Sequence, residues 1–392
     1  MMHKKYLRLA AVLVAAGSLA LAGCSGSPEA EDDAAPAASG EVEEPAAEEP
    51  PAAEDTPAAD DAAPSGAGAA CSVAAGDLVA VSMPWVGTQN FAEAVAQFPA
   101  AIEAAGYTAT VLAADNKATV QQQQIDTFVS QGAKVIIVGA VDGKQLGTVL
   151  EGAKAAGICV IGYDRLLEET DAVDGVVQYG SFETGILQAD ALLQGLEEKV
   201  GSGPHTIELF AGGPTDPNAK FFFDGAMSVL QPLIDDGTLV IGSGQVDFAE
   251  VATADWDNGK AQTRMDSLLA GFYGDGEGPV GVLAPNDGIA RAIITASENA
   301  GVAIPIVDGL DAEDESVQWV REGKQYATVA KPTAPLIDEA LRLVKAAETD
   351  GVLPAPTSTT ENGMIDNVGL YELTPVIVTQ SNVDEYFPED AE

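Results

Sequence analysis

Basic residues are scarce in this chain. Against 61 Asp and Glu stand 18 Lys and Arg in 392 residues, a balance that argues against nucleic acid or an anionic membrane surface as a direct partner of the folded body. Histidine occurs only at His3 and His205, and cysteine only at Cys24, Cys71 and Cys159. Ligands so few and so far apart make no metal-binding spacing, and no metal or cofactor is expected. The apolar run at 9–21 is too short and too soon interrupted to be a spanning helix. Acidity on this scale is first a solubility trait and names no ligand.

What is present begins with an export address. His3, Lys4, Lys5 and Arg8 precede the apolar run, which closes on Leu21-Ala22-Gly23-Cys24. A basic region, a short apolar region and small residues at the cut describe a secretory signal over residues 1–24. Leu-Ala-Gly-Cys also resembles the lipobox of bacterial lipoproteins, which implies lipid on Cys24 and a membrane-anchored, extracytoplasmic protein. The competing reading is a plain signal peptide with an incidental cysteine. Residues 25–70 are rich in Ala, Pro, Glu and Asp, without Lys, Arg or any aromatic residue. Such a segment has little to bury and repels itself, so 25–76 is expected to be a disordered tether. With Cys24 lipidated, Cys71 and Cys159 share an oxidising compartment. Two readings stand open: a disulfide between them, or a buried free thiol at Cys159.

From Asp77 onward strands and helices alternate. Strands are predicted at 78–83, 108–113, 135–138, 158–163 and 176–179, with helices over 91–105, 118–130 and 144–156 between them. Pro99 predicts a bend or split in the first helix. A second cycle follows, with helices at 185–200, 219–233, 259–272, 289–300, 316–321 and 336–347, and strands at 206–210, 239–243, 280–284, 304–307 and 326–329. The last strand-like stretch is 376–379. This alternation predicts an α/β fold, two Rossmann-like lobes with parallel sheets and a cleft between them.

The stretch Ile158–Arg165, ICVIGYDR, sets a polar pair at the end of an apolar strand. In open α/β sheets ligands gather beyond the carboxyl ends of strands. Asp164 accepts hydrogen bonds and Arg165 offers a rigid fork of donors, a pairing suited to a polyhydroxylated ligand. Taken alone, the dipeptide reads equally well as a strand-end ion pair. YDR at 163–165 is followed in order by IELFAGGPTDPNAKFFFDGAM at 207–227, ADWDNGKAQTRMD at 254–266, APNDG at 284–288, GLDAED at 309–314, VAKP at 329–332 and ENG at 361–363. In this order they resemble the periplasmic sugar-binding proteins of ABC transporters, type I fold, near the xylose-binding and multiple-sugar receptors.

The resemblance runs from about Val79 to the C-terminus and implies three strands linking the lobes, near 179–181, 329–331 and 368–370. The N-terminal lobe would then comprise 77–180 and 332–368, and the C-terminal lobe 181–331 and 369–392. It implies monosaccharide capture by closure of the lobes, delivery to an ABC permease, and a monomer without enzymatic activity. The implied ligand residues are Asp164, Arg165, Asn218, Trp256, Asn286, Asp287, Asp311 and Lys331. Of Asn286 and Asp287, one is expected only to cap the helix that follows. The first loop departs from the family, which commonly has Arg then Trp there. This chain has Asn90 and Phe91, so Phe91 is the expected N-lobe ring and Trp85 its rival. Glu183 is a weaker candidate, and most of Phe221–Phe223 is expected to be core.

Three other functions compete. Asp164 and Asp311 could serve a glycosidase, but no glycosidase motif is present. A sugar-responsive repressor would share the fold, yet the export signal and the lack of a basic helix-turn-helix oppose it. A sugar sensor feeding a signalling receptor is indistinguishable from a transport receptor at this level.

Overall fold

The computed structural model describes residues 71–274 and 276–389, all within one compact unit, Asp61–Glu392. The expected export signal, Cys24 and most of the acidic segment lie outside the described residues. Residues 71–76, expected to be tether, belong to the fold instead. Cys71 is bonded to Cys159 (S–S 2.01 Å, Cα–Cα 5.2 Å), its amide donates to the Gly351 carbonyl at 3.2 Å, and Val73 joins the core. Burial of these two side chains, with the disulfide, draws this short segment into the fold.

Among the described residues thirteen strands follow: β1 (Leu78–Met83), β2 (Thr108–Ala113), β3 (Val135–Val138), β4 (Cys159–Tyr163), β5 (Gly175–Tyr179), β6 (His205–Leu209), β7 (Leu239–Ile241), β8 (Gly281–Leu283), β9 (Ile306–Val307), β10 (Ala327–Ala330), β11 (Ser358–Thr360), β12 (Val368–Leu373) and β13 (Val376–Thr379). The first sheet runs β11-β12-β5-β4-β3-β1-β2, the second β7-β6-β8-β9, and β10 pairs with β13. The pairings are parallel except β11 with β12 and β10 with β13. β10 also lies along the end of β9, through Tyr326 N–H to Val307 O and Val329 N–H to Gly309 O, both 3.0 Å.

A parallel sheet covered by helices on both faces needs strands that are apolar on both faces. β3 meets that need: Val135 and Ile137 enter one core cluster, and Ile136 and Val138 the other. The second sheet divides likewise, Val282 facing one cluster and Leu283 the opposite one. The chain passes between the first and second sheets after β5, after β10 and after β12. The third passage falls between Leu373 and Val376, later than the 368–370 predicted, because β12 stays paired with β5 through Leu373↔Tyr179.

Pro99 does not divide the first helix, which runs unbroken over Gln89–Ala104. Phe91, Ala94, Phe98 and Ile102 fall on one face and are buried; that burial outweighs the missing amide hydrogen bond. The predicted helix 144–156 starts later, at Gly147, and ends with Gly157 at φ 74°, the left-handed residue expected just past a helix end. The helices Ser181–Lys199 and Pro217–Asp235 pack backbone to backbone. A Cβ on Gly185 would lie 1.9 Å from the Phe222 carbonyl oxygen, and one on Gly225 2.1 Å from that of Phe182. That crossing fixes where the second helix presents its amino end, the end used by the site.

Candidate ligand-binding site

Each strand that ends on the cleft contributes its following loop, as sheet topology requires. After β1 come Trp85, Thr88, Asn90 and Phe91; after β4, Asp164 and Arg165; after β6, Asp216, Asn218 and Phe222. The second sheet adds Trp256, Asn286, Leu310 and Asp311, and Lys331 follows β10. Together they line a cleft with an empty volume of about 360 Å³.

Asp164 is held in a left-handed conformation, φ 63°. Its amide donates to Val177 O at 2.8 Å, and its carbonyl accepts from Asn218 Nδ2 at 2.6 Å. Strain of this kind persists where the surroundings over-determine it, and it concentrates at binding sites. Its carboxylate pairs with Lys331 at 3.6 Å, and Lys331 also meets Asp311 at 3.3 Å. Burial pulls the Lys331 ammonium down, but Asp164 and Asp311 together outweigh it and leave its pKa above the ordinary value. The ammonium also lies 5.2 Å from the centre of the Phe222 ring. Burial raises Asp311, opposed by Lys331.

Arg165 does not pair with its neighbour Asp164. Its Nη2 meets Asp216 Oδ2 at 2.9 Å, its Nη1 donates to Ala140 O at 2.8 Å, and its guanidinium carbon stands 5.2 Å from the centre of the Phe91 ring. The strand-end ion pair suggested by the dipeptide is thus replaced by two separate pairs, each reaching across the cleft. Asp216 is the organiser that the sequence reading missed. It caps the helix Pro217–Asp235 by accepting from Asn218 N–H at 3.0 Å, takes the Arg165 charge, and accepts from Trp256 Nε1 at 3.2 Å. Burial raises its pKa, and Arg165 opposes the rise. An Asp immediately before a Pro at a helix start is a visible capping signature, so this residue was there to be found.

Trp256 lies in the cleft, half-buried, rather than out on the surface. Gly212 and Gly213 make room for its ring: a Cβ on Gly212 would come within 2.1 Å of it. Asn286 both caps the next helix, accepting from Ile289 N–H at 3.0 Å, and lines the cleft. Asp287 does not line it, contrary to expectation. Fully buried, it accepts from Gln325 Nε2 at 2.9 Å and Glu313 N–H at 2.8 Å; burial pushes its pKa up to about 8. It props the loops behind the site. Glu183 is exposed and also stands outside the lining. Both rings of the first loop, Trp85 and Phe91, face the cleft, and Thr88 joins them. Phe222 and Phe223 are buried and Phe221 is exposed, as expected for most of the three; Phe222 also walls the cleft, while Phe223 packs on Phe248. Residues on a helix lie about 100° apart, so three adjacent phenylalanines separate this way.

Thr88 Oγ1, Asn90 Oδ1 and Arg165 Nε are buried without a hydrogen-bond partner in the protein. A larger open hollow lies at the amino ends of β9 and β10, lined by Glu198, Lys199, Lys324 and Tyr326, but Glu198 and Lys199 are exposed, unlike the buried charges of the cleft. Among the described residues the one close group of metal-ligating types is Cys71, Cys159 and Asp174, and its two sulfurs are bonded to each other.

A family model, periplasmic binding protein domain, matches residues 79–351. The multiple sugar-binding periplasmic receptor ChvE of Rhizobium radiobacter is 38% identical over 318 residues, covering 79% of this chain and 89% of that protein. The D-xylose-binding periplasmic protein of Escherichia coli (strain K12) is 30% identical over 291 residues, covering 74% and 82%. Among solved structures, an ABC transporter solute-binding protein from Clostridium phytofermentans with bound β-D-glucose superposes with a TM-score of 0.76 at 34% identity, covering 80% of this chain and 98% of that one. These relatives are solute-binding receptors, not enzymes.

Proposed function

The chain belongs to the periplasmic binding protein family, type I fold, and on that premise we propose that it captures a monosaccharide, an aldohexose or aldopentose such as glucose, galactose or xylose. The observation that carries the reading is the cleft itself. Paired charges from both sheets and rings on both sides converge on it. A sugar in water is hydrogen-bonded at every hydroxyl, so a site must replace those bonds almost completely. Asp164, Asn90 and Asp311 offer acceptors; Arg165, Lys331, Asn218 and Asn286 offer donors. Because Arg165 and Lys331 are already paired, their charges are held in place and add directionality without uncompensated charge. Trp256, Phe91, Trp85 and Phe222 supply flat apolar surfaces for the C–H faces of the ring.

The two sheets with their helices act as the two lobes, and the three passages between them act as the hinge. A sugar touching both sides favours closure by its differential affinity for the closed form. The closed protein then delivers its sugar to an ABC permease, held near the membrane through lipid on Cys24 and the acidic segment. The test is Asp164→Ala with calorimetric titration of D-glucose and D-xylose. Loss of binding by a variant that still unfolds cooperatively is expected; unchanged affinity would overturn the site.

A further inference from the structure

One contact crosses the cleft without lining it. Gln89, the first residue of the helix Gln89–Ala104, belongs to the side of the first sheet; Asp314, the first residue of the helix Asp314–Glu322, belongs to the side of the second. Gln89 Nε2 donates to Asp314 Oδ1 at 3.0 Å, and Asp314 N–H donates to Gln89 Oε1 at 2.8 Å. The second bond satisfies an amide that a helix start leaves without an intrahelical partner. The helix Asp314–Glu322 has no side-chain cap of its own, so the opposite side of the cleft supplies the acceptor. Glu93 holds the Gln89 amide in place, accepting from its Nε2 at 2.8 Å. Both residues line a side hollow next to the cleft, and neither lines the cleft.

We infer that Gln89 and Asp314 form a latch that sets how far the closed state is favoured, for any sugar, without touching the ligand. The inference rests on the sugar-capture reading. Arg165 with Asp216 and Asn218 with Asp164 also cross the cleft, but they line it, so their removal mixes closure with contact. The latch separates the two. Its bonds exist only when the sides meet, so deleting it lowers the closed fraction, and apparent affinity falls by that same factor whichever sugar is bound. Two solvent-accessible hydrogen bonds correspond to about a five- to 150-fold change in Kd.

The two residues are not equivalent. Gln89→Ala removes both bonds, whereas Asp314→Ala removes only the carboxylate's, since the other donor is the backbone. The expected order is therefore a larger loss for Gln89→Ala, and no further loss in the double variant. Gln89→Glu keeps an acceptor but sets a carboxylate against Asp314 and Glu93, and it should weaken binding at least as much as Gln89→Ala.

The experiment titrates wild type, both single variants and the double variant with D-glucose and D-xylose by calorimetry, with urea unfolding of each ligand-free protein. Equal fold-losses for both sugars at unchanged unfolding midpoints support the latch. An unchanged Kd in Gln89→Ala overturns it while leaving sugar capture intact. A loss that differs severalfold between the sugars, additive losses in the double variant, or a lowered unfolding midpoint also overturns it. If wild type binds neither sugar, the titration extends to the other aldohexoses and aldopentoses, and binding of none defeats the capture reading and the latch with it.

Discussion

Replacing Lys331 by Met keeps the apolar stem and removes only the ammonium. In the native protein that ammonium stands 3.3 Å from Asp311 and 3.6 Å from Asp164, with its side chain 7% exposed. Each contact amounts to about 4–5 kcal/mol of Coulomb attraction at an effective dielectric constant of about 20, most of it offset by desolvation. Without Lys331, two carboxylates face each other in a buried site with no cation between them, and breaking a buried pair costs about 3–5 kcal/mol. Burial already raises Asp311 in the native protein; loss of Lys331 raises it further. An acid whose folded pKa exceeds its unfolded value contributes stability that is present below the unfolded pKa and lost as pH rises through the folded one. The variant's deficit should therefore be close to the full 3–5 kcal/mol at about pH 8 and clearly smaller at about pH 5. Urea unfolding at both pH values, with sugar titration alongside, reads it. A deficit below about 1 kcal/mol at the higher pH, or one equal at both, would refute the reasoning.

Asp287 gives a second pH signature. Burial holds it near 8 against an ordinary 3.8, so its contribution to stability is complete below about 3.8 and lost as pH rises toward about 8. Asp287→Asn should be less stable at low pH by about 1–3 kcal/mol, because its amide meets donors from Glu313 and Gln325, and its stability should fall less between pH 4 and 8; parallel profiles would contradict this. The disulfide closes a separation of 88 residues, so Cys71→Ser with Cys159→Ser should cost about 2–5 kcal/mol in urea unfolding. Sugar affinity should stay within about twofold, because Cys159 opens β4 and Asp164 follows its far end; a large change in Kd would relocate the disulfide's role to the site.

The alternation of strands and helices was legible because parallel strands buried on both faces read as uninterrupted apolar runs, and Val135–Val138 is such a run. Element ends were less legible. β12 runs on to Leu373 because β5 pairs with it, a long-range partner that no local pattern reveals. The left-handed φ of 63° at Asp164 and 93° at Asp311 likewise depends on surroundings distant in sequence. Most residues that line the cleft were named from motif order, yet Asp216, Thr88 and Phe222 were not among them. Thr88 has no motif, and Phe222 is one of three identical neighbours distinguished only by helix rotation. Asp287 was misplaced because the capping motif is shared by two adjacent polar residues, and only the turn geometry decides that Asn286 faces the cleft. The exchange of partners between Asp164, Arg165, Asp216 and Lys331 is a tertiary fact, fixed by how the two sheets approach.

Calorimetric titration of the purified wild-type protein with a panel of aldohexoses and aldopentoses tests the central claim most directly. The account predicts saturable binding of one sugar per chain for at least one member, D-glucose and D-xylose being the first to try. No heat of binding with any member, from protein that unfolds cooperatively, would contradict it.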